Sequence, residues 1–322
     1  MPPNRSPSKI GGSDVAAILD VSKPGWQTKI QLYERILRGT WADETSDLMR
    51  LGQDMEEGIR KSYRRIRANE LKDFSKDNDA PLKLVRPKKQ WADASPDDFF
   101  VSYDDGALNF GAEYKCVTRP TNGEWGEEGT DQVPMAYLAQ CAFYAWYFNV
   151  SRWDLAALLP YRGVVIYRYD RSEELEERII SECEKFWNEH VVPKVPPPPD
   201  GSDAFNDFLA TRYTPTAEKL PATPEVNQIA RAYFAAEKEL AEVEKRVATL
   251  KQSLIVASDG NGFDGDGWQM TCRKQQRKST KWKEVSDALG KNVRPELYTE
   301  SVVKFTTVSD SLVVTLKEKE GA

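Results

Sequence analysis

A run of four consecutive prolines at residues 196–199 most constrains how this chain folds. Proline lacks a backbone N–H donor and fixes φ, so the run can neither continue a helix nor join a central strand. It favours an extended linker instead. We therefore predict a large N-terminal domain over residues 1–190, a Pro-rich linker over 191–222 and a C-terminal unit over 223–322.

Helical and strand-like patterns alternate within the first 190 residues. Helices are predicted over 13–19, 28–39, 47–66, 133–148 and 173–190, and strands over 99–103, 107–117, 152–159 and 164–169. A turn at residues 104–106 would join the first two strands into a hairpin. This order predicts an α/β fold in which helices flank a mixed sheet.

The C-terminal unit carries an apolar heptad pattern. Alternating spacings of four and three relate Ile229, Tyr233, Ala236, Leu240, Val243, Val247, Leu250 and Leu254. The pattern predicts a coiled-coil-like helix, which would pair with another chain or fold back on its own domain. A small β region is also predicted in this unit, with a glycine-rich turn over 258–267. A small basic region over 273–283 is either a solvated face or a DNA-contacting surface.

The histidine and cysteine content excludes several kinds of site. His190 is the single histidine, so His-rich zinc sites and Ser-His-Asp hydrolysis lack their residues. The four cysteines form no CxxC pair, which favours a reduced, cytoplasmic setting. No apolar run is long enough to span a membrane. The net charge of −6 is mild evidence against a nucleic-acid partner.

Two carboxylates and a lysine are predicted to meet on one hairpin. Asp97 precedes the strand at 99–103, whereas Glu113 and Lys115 lie two apart on the next strand and therefore share a face. Carboxylates hold hard divalent cations, which neutralise charge on a phosphate and activate water. A nearby lysine orients that water and stabilises negative charge. Taken alone, the same residues also fit a surface hairpin with alternating charges.

Five short motifs occur in a recognisable order. They read IGGSD from residue 10, LGQDMEE from 51, ASPD from 94, EYKC from 113 and VPMAYLAQ from 133. Together they resemble the YqaJ-type viral recombinases, a family similar to the bacteriophage lambda exonuclease within the PD-(D/E)xK nucleases. The resemblance covers roughly residues 9–190 and implies a restriction-endonuclease-like core. The chain departs from the family at Asp98, where glycine is usual, and in an acidic loop over 119–134.

The resemblance implies a metal centre. Asp97 and Glu113 would be metal ligands, and Glu56 would bind directly or through water. The backbone carbonyl of Tyr114 would be a further ligand. Lys115 would position or activate the attacking water. Two Mg²⁺ ions are implied, with Mn²⁺ as an alternative.

Residues around that centre also follow from the resemblance. Gln140, on the later helix, would lie close to the active site. Ser13 would bind a DNA phosphate with help from backbone amides, and Arg119 would contact a 5′-phosphate. Glu57 is adjacent to Glu56 but on a different helix face, so Glu56 is preferred as the active-site acid.

The implied activity is a metal-dependent exonuclease that digests linear double-stranded DNA from the 5′ end. A single-strand annealing protein would be its partner in phage recombination, in the cytoplasm of a bacterial host. The implied assembly is a homo-oligomeric ring, a trimer by resemblance, and no membrane association is expected. Three alternatives stay open: a structure-selective endonuclease of the same fold, a DNA-binding module without catalysis, and an interaction protein that acts through its coiled coil.

Overall fold

The computed structural model describes residues 5–23, 25–41, 47–75, 89–103, 109–118, 123–216, 219–266, 268–272 and 287. The chain divides into two compact units, Met1–Phe208 and Leu209–Ala322. The division falls inside the predicted linker at 191–222, whose bounds stay a prediction. Within the described ranges, no helix has both the length and the apolar character needed to cross a bilayer.

A five-stranded mixed sheet forms the centre of the first unit. In spatial order its strands are β1 (Phe74–Ser75), β2 (Asp98–Ser102), β3 (Phe110–Cys116), β4 (Arg152–Leu159) and β5 (Gly163–Asp170). Neighbouring strands pair antiparallel except β3 and β4, which are parallel. A parallel pair needs a long crossover connection, and this one contains helix α5 (Met135–Phe148).

Helices flank this sheet, as predicted for a mixed α/β layer fold. Up to residue 212 the remaining helices are α1 (Val15–Ile18), α2 (Lys29–Arg38), α3 (Asp47–Ile66), α4 (Ala68–Leu71), α6 (Glu173–Phe186) and α7 (Asp203–Arg212). The ends of α2 follow from its sequence. Thr28 accepts a hydrogen bond from the backbone of Gln31, and Gly39 ends the helix at φ 71°.

Alternate residues of β3 face different layers of the fold. Tyr114 packs with Ile59 and Tyr63 of α3. The neighbouring Glu113 faces the other way and contacts Gln140 of α5. The period of two along the strand therefore separates a buried aromatic face from a face that carries charged residues.

Three elements differ from the prediction. Helix α7 lies inside the predicted Pro-rich linker, because Phe205 and Phe208 are both buried and the Ser202 hydroxyl accepts from the backbone N–H of Phe205. Helix α6 ends at Phe186 and continues as a π-helical turn, Trp187–Val191. The short strand β1 was not predicted, since two residues carry no period. The predicted turn at 104–106 lies outside the described residues.

The second unit is dominated by one long helix, α8 (Pro224–Ala257), as the heptad pattern predicts. Thr223 caps its start by accepting from the backbone N–H of Val226. No residue of α8 is buried. Strands β6 (Phe263–Gly265) and β7 (Trp268–Met270) then form a small antiparallel pair. The basic region at 273–283 lies outside the described residues.

Candidate active site

The register of β2 and β3 brings Asp97 beside Glu113. Asp98 pairs with Ala112 in an antiparallel ladder, so the preceding residue of one strand lies next to the following residue of the other. The backbone N–H of Tyr114 donates to Asp97 Oδ2 at 2.7 Å. The Asp97 carboxylate is therefore held against the edge of β3.

Glu113 is the centre of the cluster. Lys115 Nζ donates to Glu113 Oε1 at 2.5 Å, and Gln140 Nε2 donates to the same oxygen at 2.6 Å. The Glu113 side chain is only 5% exposed. Its second oxygen, Oε2, is buried without a hydrogen-bond partner in the described structure. One carboxylate oxygen is thus fully engaged, and the other is available to a ligand.

Burial perturbs the ionisation of all three groups. Burial raises the pKa of Glu113 to about 8, and the charge of Asp97 raises it as well. The pKa of Asp97 is also raised by burial. For Lys115, burial alone would lower the pKa, but the carboxylates of Glu113 and Asp97 outweigh it and raise the pKa above its usual value. The Lys115 ammonium therefore stays charged beside the two carboxyl groups.

Helix α3 brings Glu56 toward this cluster and leaves Glu57 in solvent. Glu56 is half-buried. Its pKa is raised first by burial and then by the nearby charge of Asp97. Glu57 is exposed and pairs with Arg60 at 2.8 Å and with Lys61 at 3.6 Å. The two adjacent glutamates have different surroundings, because their side chains point to different sides of the helix.

Asp98 has a structural role that sequence reasoning missed. Its side chain is fully buried and pairs with Arg64, whose Nη2 lies 2.8 Å from Oδ1. The Tyr114 hydroxyl donates to Asp98 Oδ2 at 2.5 Å. Arg60 contacts the same carboxylate at 3.5 Å and donates to the backbone carbonyl of Asp97 at 3.1 Å. Asp98 therefore ties α3 to the strands that carry the cluster. The available signal was an acidic residue in place of a glycine.

The N-terminal segment packs against the other side of the cluster. A Cβ added at Gly12 would lie 2.8 Å from the Tyr144 ring and 3.2 Å from Gln140 Cγ, so only glycine permits this close approach. Gln140 Nε2 also donates to the Tyr144 hydroxyl at 3.3 Å. The segment that contains Ser13 thus contacts the helix that holds Glu113 in place.

Ser13 is exposed and backed by a buried arginine pair. Arg5 donates to Ser13 Oγ at 3.1 Å and pairs with Asp14 at 3.0 Å. Arg35 pairs with the same Asp14 oxygen at 2.7 Å. Two cations share one carboxylate, which leaves a net positive charge behind the Ser13 hydroxyl. Sequence reasoning missed Arg5. Arg119 lies outside the described residues.

The oxygen ligands of this site suit a cation that keeps several of its waters better than one that is coordinated by protein atoms alone. Across the described residues, no group of three or more His, Cys, Asp or Glu side chains is arranged to hold a metal ion. The buried carboxylate of Glu113 nevertheless lies next to the partly buried one of Asp97, and Glu113 Oε2 has no partner among the described residues. Magnesium commonly uses one or two carboxylates and keeps several waters, so this pair satisfies its chemistry.

Comparison with known proteins agrees with the five motifs. Uncharacterized protein YqaJ of Bacillus subtilis (strain 168) is 22% identical over 250 residues, covering 76% of this chain and 73% of that protein. The solved alkaline exonuclease LHK-Exo of Laribacter hongkongensis is 19% identical with a TM-score of 0.40, covering 59% of this chain and 90% of that chain. A phage related exonuclease from Haemophilus somnus 129PT is 14% identical with a TM-score of 0.39, covering 58% and 96%. Residues 4–150 match the model of the YqaJ-like viral recombinase domain, so the predicted resemblance is confirmed over this part of the chain.

Proposed function

We propose that the chain is a magnesium-dependent DNA exonuclease of phage-type recombination, with its catalytic centre at Asp97, Glu113 and Lys115. The observation that carries the proposal is the carboxylate of Glu113. One of its oxygens accepts from two donors, and the other is buried without a partner among the described residues. A buried carboxylate oxygen is costly unless a ligand completes its coordination. A divalent cation has the charge and the preference for oxygen that this position requires.

The residues that would hold magnesium are Asp97, Glu113 and the backbone carbonyl of Tyr114, with Glu56 acting directly or through water. When bound, the cation would supply Lewis-acid chemistry by withdrawing charge from the scissile phosphate and making an attacking water more acidic. The carboxylates of Asp97 and Glu113 would orient that water, since the Glu113 side chain is only 5% exposed and Asp97 is partly buried beside it.

Lys115 acts as a cation and not as a base. Burial opposes its charge, yet the carboxylates of Glu113 and Asp97 raise its pKa above the usual value. A protonated ammonium donates hydrogen bonds and stabilises the negative charge that develops on the phosphate. Gln140 shares Glu113 Oε1 with Lys115 and so keeps the carboxylate from rotating.

Ser13 and Arg5 support a phosphate contact at the N-terminal segment, which packs against the helix that carries Gln140. The Ser13 hydroxyl is exposed, and Arg5 donates to it at 3.1 Å. A DNA phosphate would accept from the hydroxyl, while the arginines behind it supply attraction. The assigned strand polarity, 5′ to 3′, comes from the family resemblance alone.

Digestion of linear duplex DNA labelled at the 5′ or the 3′ end, in magnesium and then in EDTA, tests the proposal. We expect EDTA-sensitive release of short 5′-labelled products while the 3′ label stays on long strands. Covalently closed circular DNA should be spared. Cleavage of the circle would favour the structure-selective endonuclease, and no cleavage in magnesium or manganese would favour a DNA-binding module. An annealing partner, a ring-shaped homo-oligomer and a cytoplasmic setting stay predictions from the resemblance.

A further inference from the structure

The turn between β4 and β5 presents one tyrosine in an unfavourable backbone conformation. Tyr161 has a φ of 65° and its side chain is 104% exposed. The turn is closed by the backbone N–H of Arg162, which donates to the Leu159 carbonyl at 3.3 Å. With Pro160 before it, Tyr161 occupies a turn position that requires positive φ and therefore favours glycine or asparagine.

Among the described residues, no packing contact explains a bulky side chain at this position. A positive φ brings the Cβ of an L-residue too close to the backbone, and a fully exposed ring gains nothing from burial. The same turn uses glycine at its other positive-φ position, Gly163, where φ is 76°. Residues with a strained backbone are concentrated at functional sites, where the side chain contacts a ligand.

The turn lies at the sheet end that carries the proposed catalytic residues. Lys115 of β3 is paired with Ala157 of the parallel strand β4. Tyr161 follows Ala157 by four residues, so its backbone lies within about 15 Å of Lys115. A DNA strand rises about 3.4 Å per nucleotide, so a substrate at the catalytic centre has nucleotides within reach of this ring.

The turn is held in place by the loop that leads into α5. Arg162 donates to the backbone carbonyl of Gly126 at 3.2 Å, and the Tyr167 hydroxyl donates to the same oxygen at 3.3 Å. The Trp125 ring packs on Tyr167 with centroids 5.3 Å apart. A braced turn presents the Tyr161 ring at a fixed position, which suits a contact with substrate.

We propose that Tyr161 is a substrate-contacting residue whose ring stacks on a nucleobase of the DNA near the scissile phosphate. The proposal rests on the proposed nuclease function. A base is favoured over a phosphate because the fully exposed Tyr161 offers an open aromatic face, while Glu127 and Glu128 of the neighbouring loop are exposed acidic residues that disfavour a phosphate. Stacking on an aromatic ring tolerates any base, as a nuclease that advances along DNA requires.

Two substitutions at Tyr161 distinguish the effect of its aromatic ring on DNA binding from the effect of its positive φ on stability. Tyr161→Gly removes both, so the melting temperature should rise by about 2–4 °C, while the Kd for an end-labelled linear duplex in EDTA should rise roughly 5- to 50-fold. Tyr161→Phe keeps the ring and should bind DNA as the wild type does. Tyr103→Gly is the matched control, because Tyr103 is also exposed but follows β2 at the opposite end of the sheet.

Wild-type DNA affinity in Tyr161→Gly would overturn the proposal, as would equal weakening by Tyr161→Gly and Tyr103→Gly. An unchanged or lower melting temperature would overturn the assignment of strain. These outcomes are distinct from failure of the proposed function. If the wild type binds DNA but never cleaves it, the nuclease reading fails, and weaker binding by Tyr161→Gly still supports the stacking contact.

Discussion

Four of the five large apolar residues of helix α2 are buried, whereas helix α8 has no buried residue. Leu32, in the middle of α2, is 0% exposed, and Leu240, in the middle of α8, is 58% exposed. Both helices have a polar N-cap, Thr28 and Thr223, and a regular apolar spacing. The same sequence signal therefore produces a packed helix in one unit and an unpacked apolar face in the other.

The difference teaches that periodicity predicts a helix but not its partner. An apolar stripe indicates which face of the helix is to be buried. The surface that buries it comes from elsewhere in the chain or from another molecule. In the first unit, the sheet and its helices bury most of each apolar stripe. In the second unit, the heptad positions 229–254 are all exposed.

Matched leucine substitutions should give the largest contrast. We expect Leu32→Ala to lower the free energy of unfolding by about 2–5 kcal/mol, because it removes buried methyl groups and leaves a cavity. Leu240→Ala should change it by less than about 0.5 kcal/mol, since the side chain is in solvent. Urea denaturation of both variants measures the difference, and the shared helical context cancels the effect of alanine on helix propensity.

A large loss of stability in Leu240→Ala would contradict the comparison. So would a melting temperature that rises with protein concentration in the wild type but not in Leu240→Ala, because that difference would mean that a partner copy covers α8.

Asp98→Ala should have the next largest effect. The substitution leaves Arg64 and the Tyr114 hydroxyl without their acceptor, which we expect to cost about 3 kcal/mol. The value lies at the lower end for a buried pair, because the Arg64 side chain is 31% exposed. Asp170→Ala, on an exposed residue at the end of β5, is the control. Equal stability of the two variants would show that Asp98 does not anchor α3 to the strands.

The smallest expected effect is metal-dependent stabilisation. At a magnesium concentration about tenfold above its Kd, the melting temperature of the wild type should rise by an amount equivalent to about 1.4 kcal/mol. Glu113→Gln should abolish this shift, because its amide is a weaker ligand without charge. Glu57→Gln should retain it, since Glu57 faces Arg60 and Lys61. A shift that survives in Glu113→Gln would place the cation elsewhere.

Much of the fold was predictable because its signals are local. The helix over 47–66 and the strand over 152–159 match the structure at both ends, since apolar spacing and breaking residues mark them. Helix α7 was missed because the burial of Phe205 and Phe208 is a tertiary effect that outweighs nearby prolines.

The candidate site divides in the same way. The spacing of Glu113 and Lys115 predicts their shared face, and the structure brings them to 2.5 Å. The roles of Arg5 and Asp98 were not predicted, because Arg5 lies eight residues from Ser13 and Asp98 lies 34 residues from Arg64, and neither spacing forms a short motif. Charges far apart in sequence need the fold before they can be paired.

The most direct test of the central claim is the cleavage rate of Lys115→Met on linear duplex DNA in magnesium. Lys61→Met is the control, because the Lys61 side chain is 75% exposed. We predict a rate lower by at least about 100-fold for Lys115→Met, with DNA affinity close to that of the wild type, and an unchanged rate for the control. A folded Lys115→Met protein that cleaves DNA at the wild-type rate would contradict the assignment of this cluster as the catalytic centre.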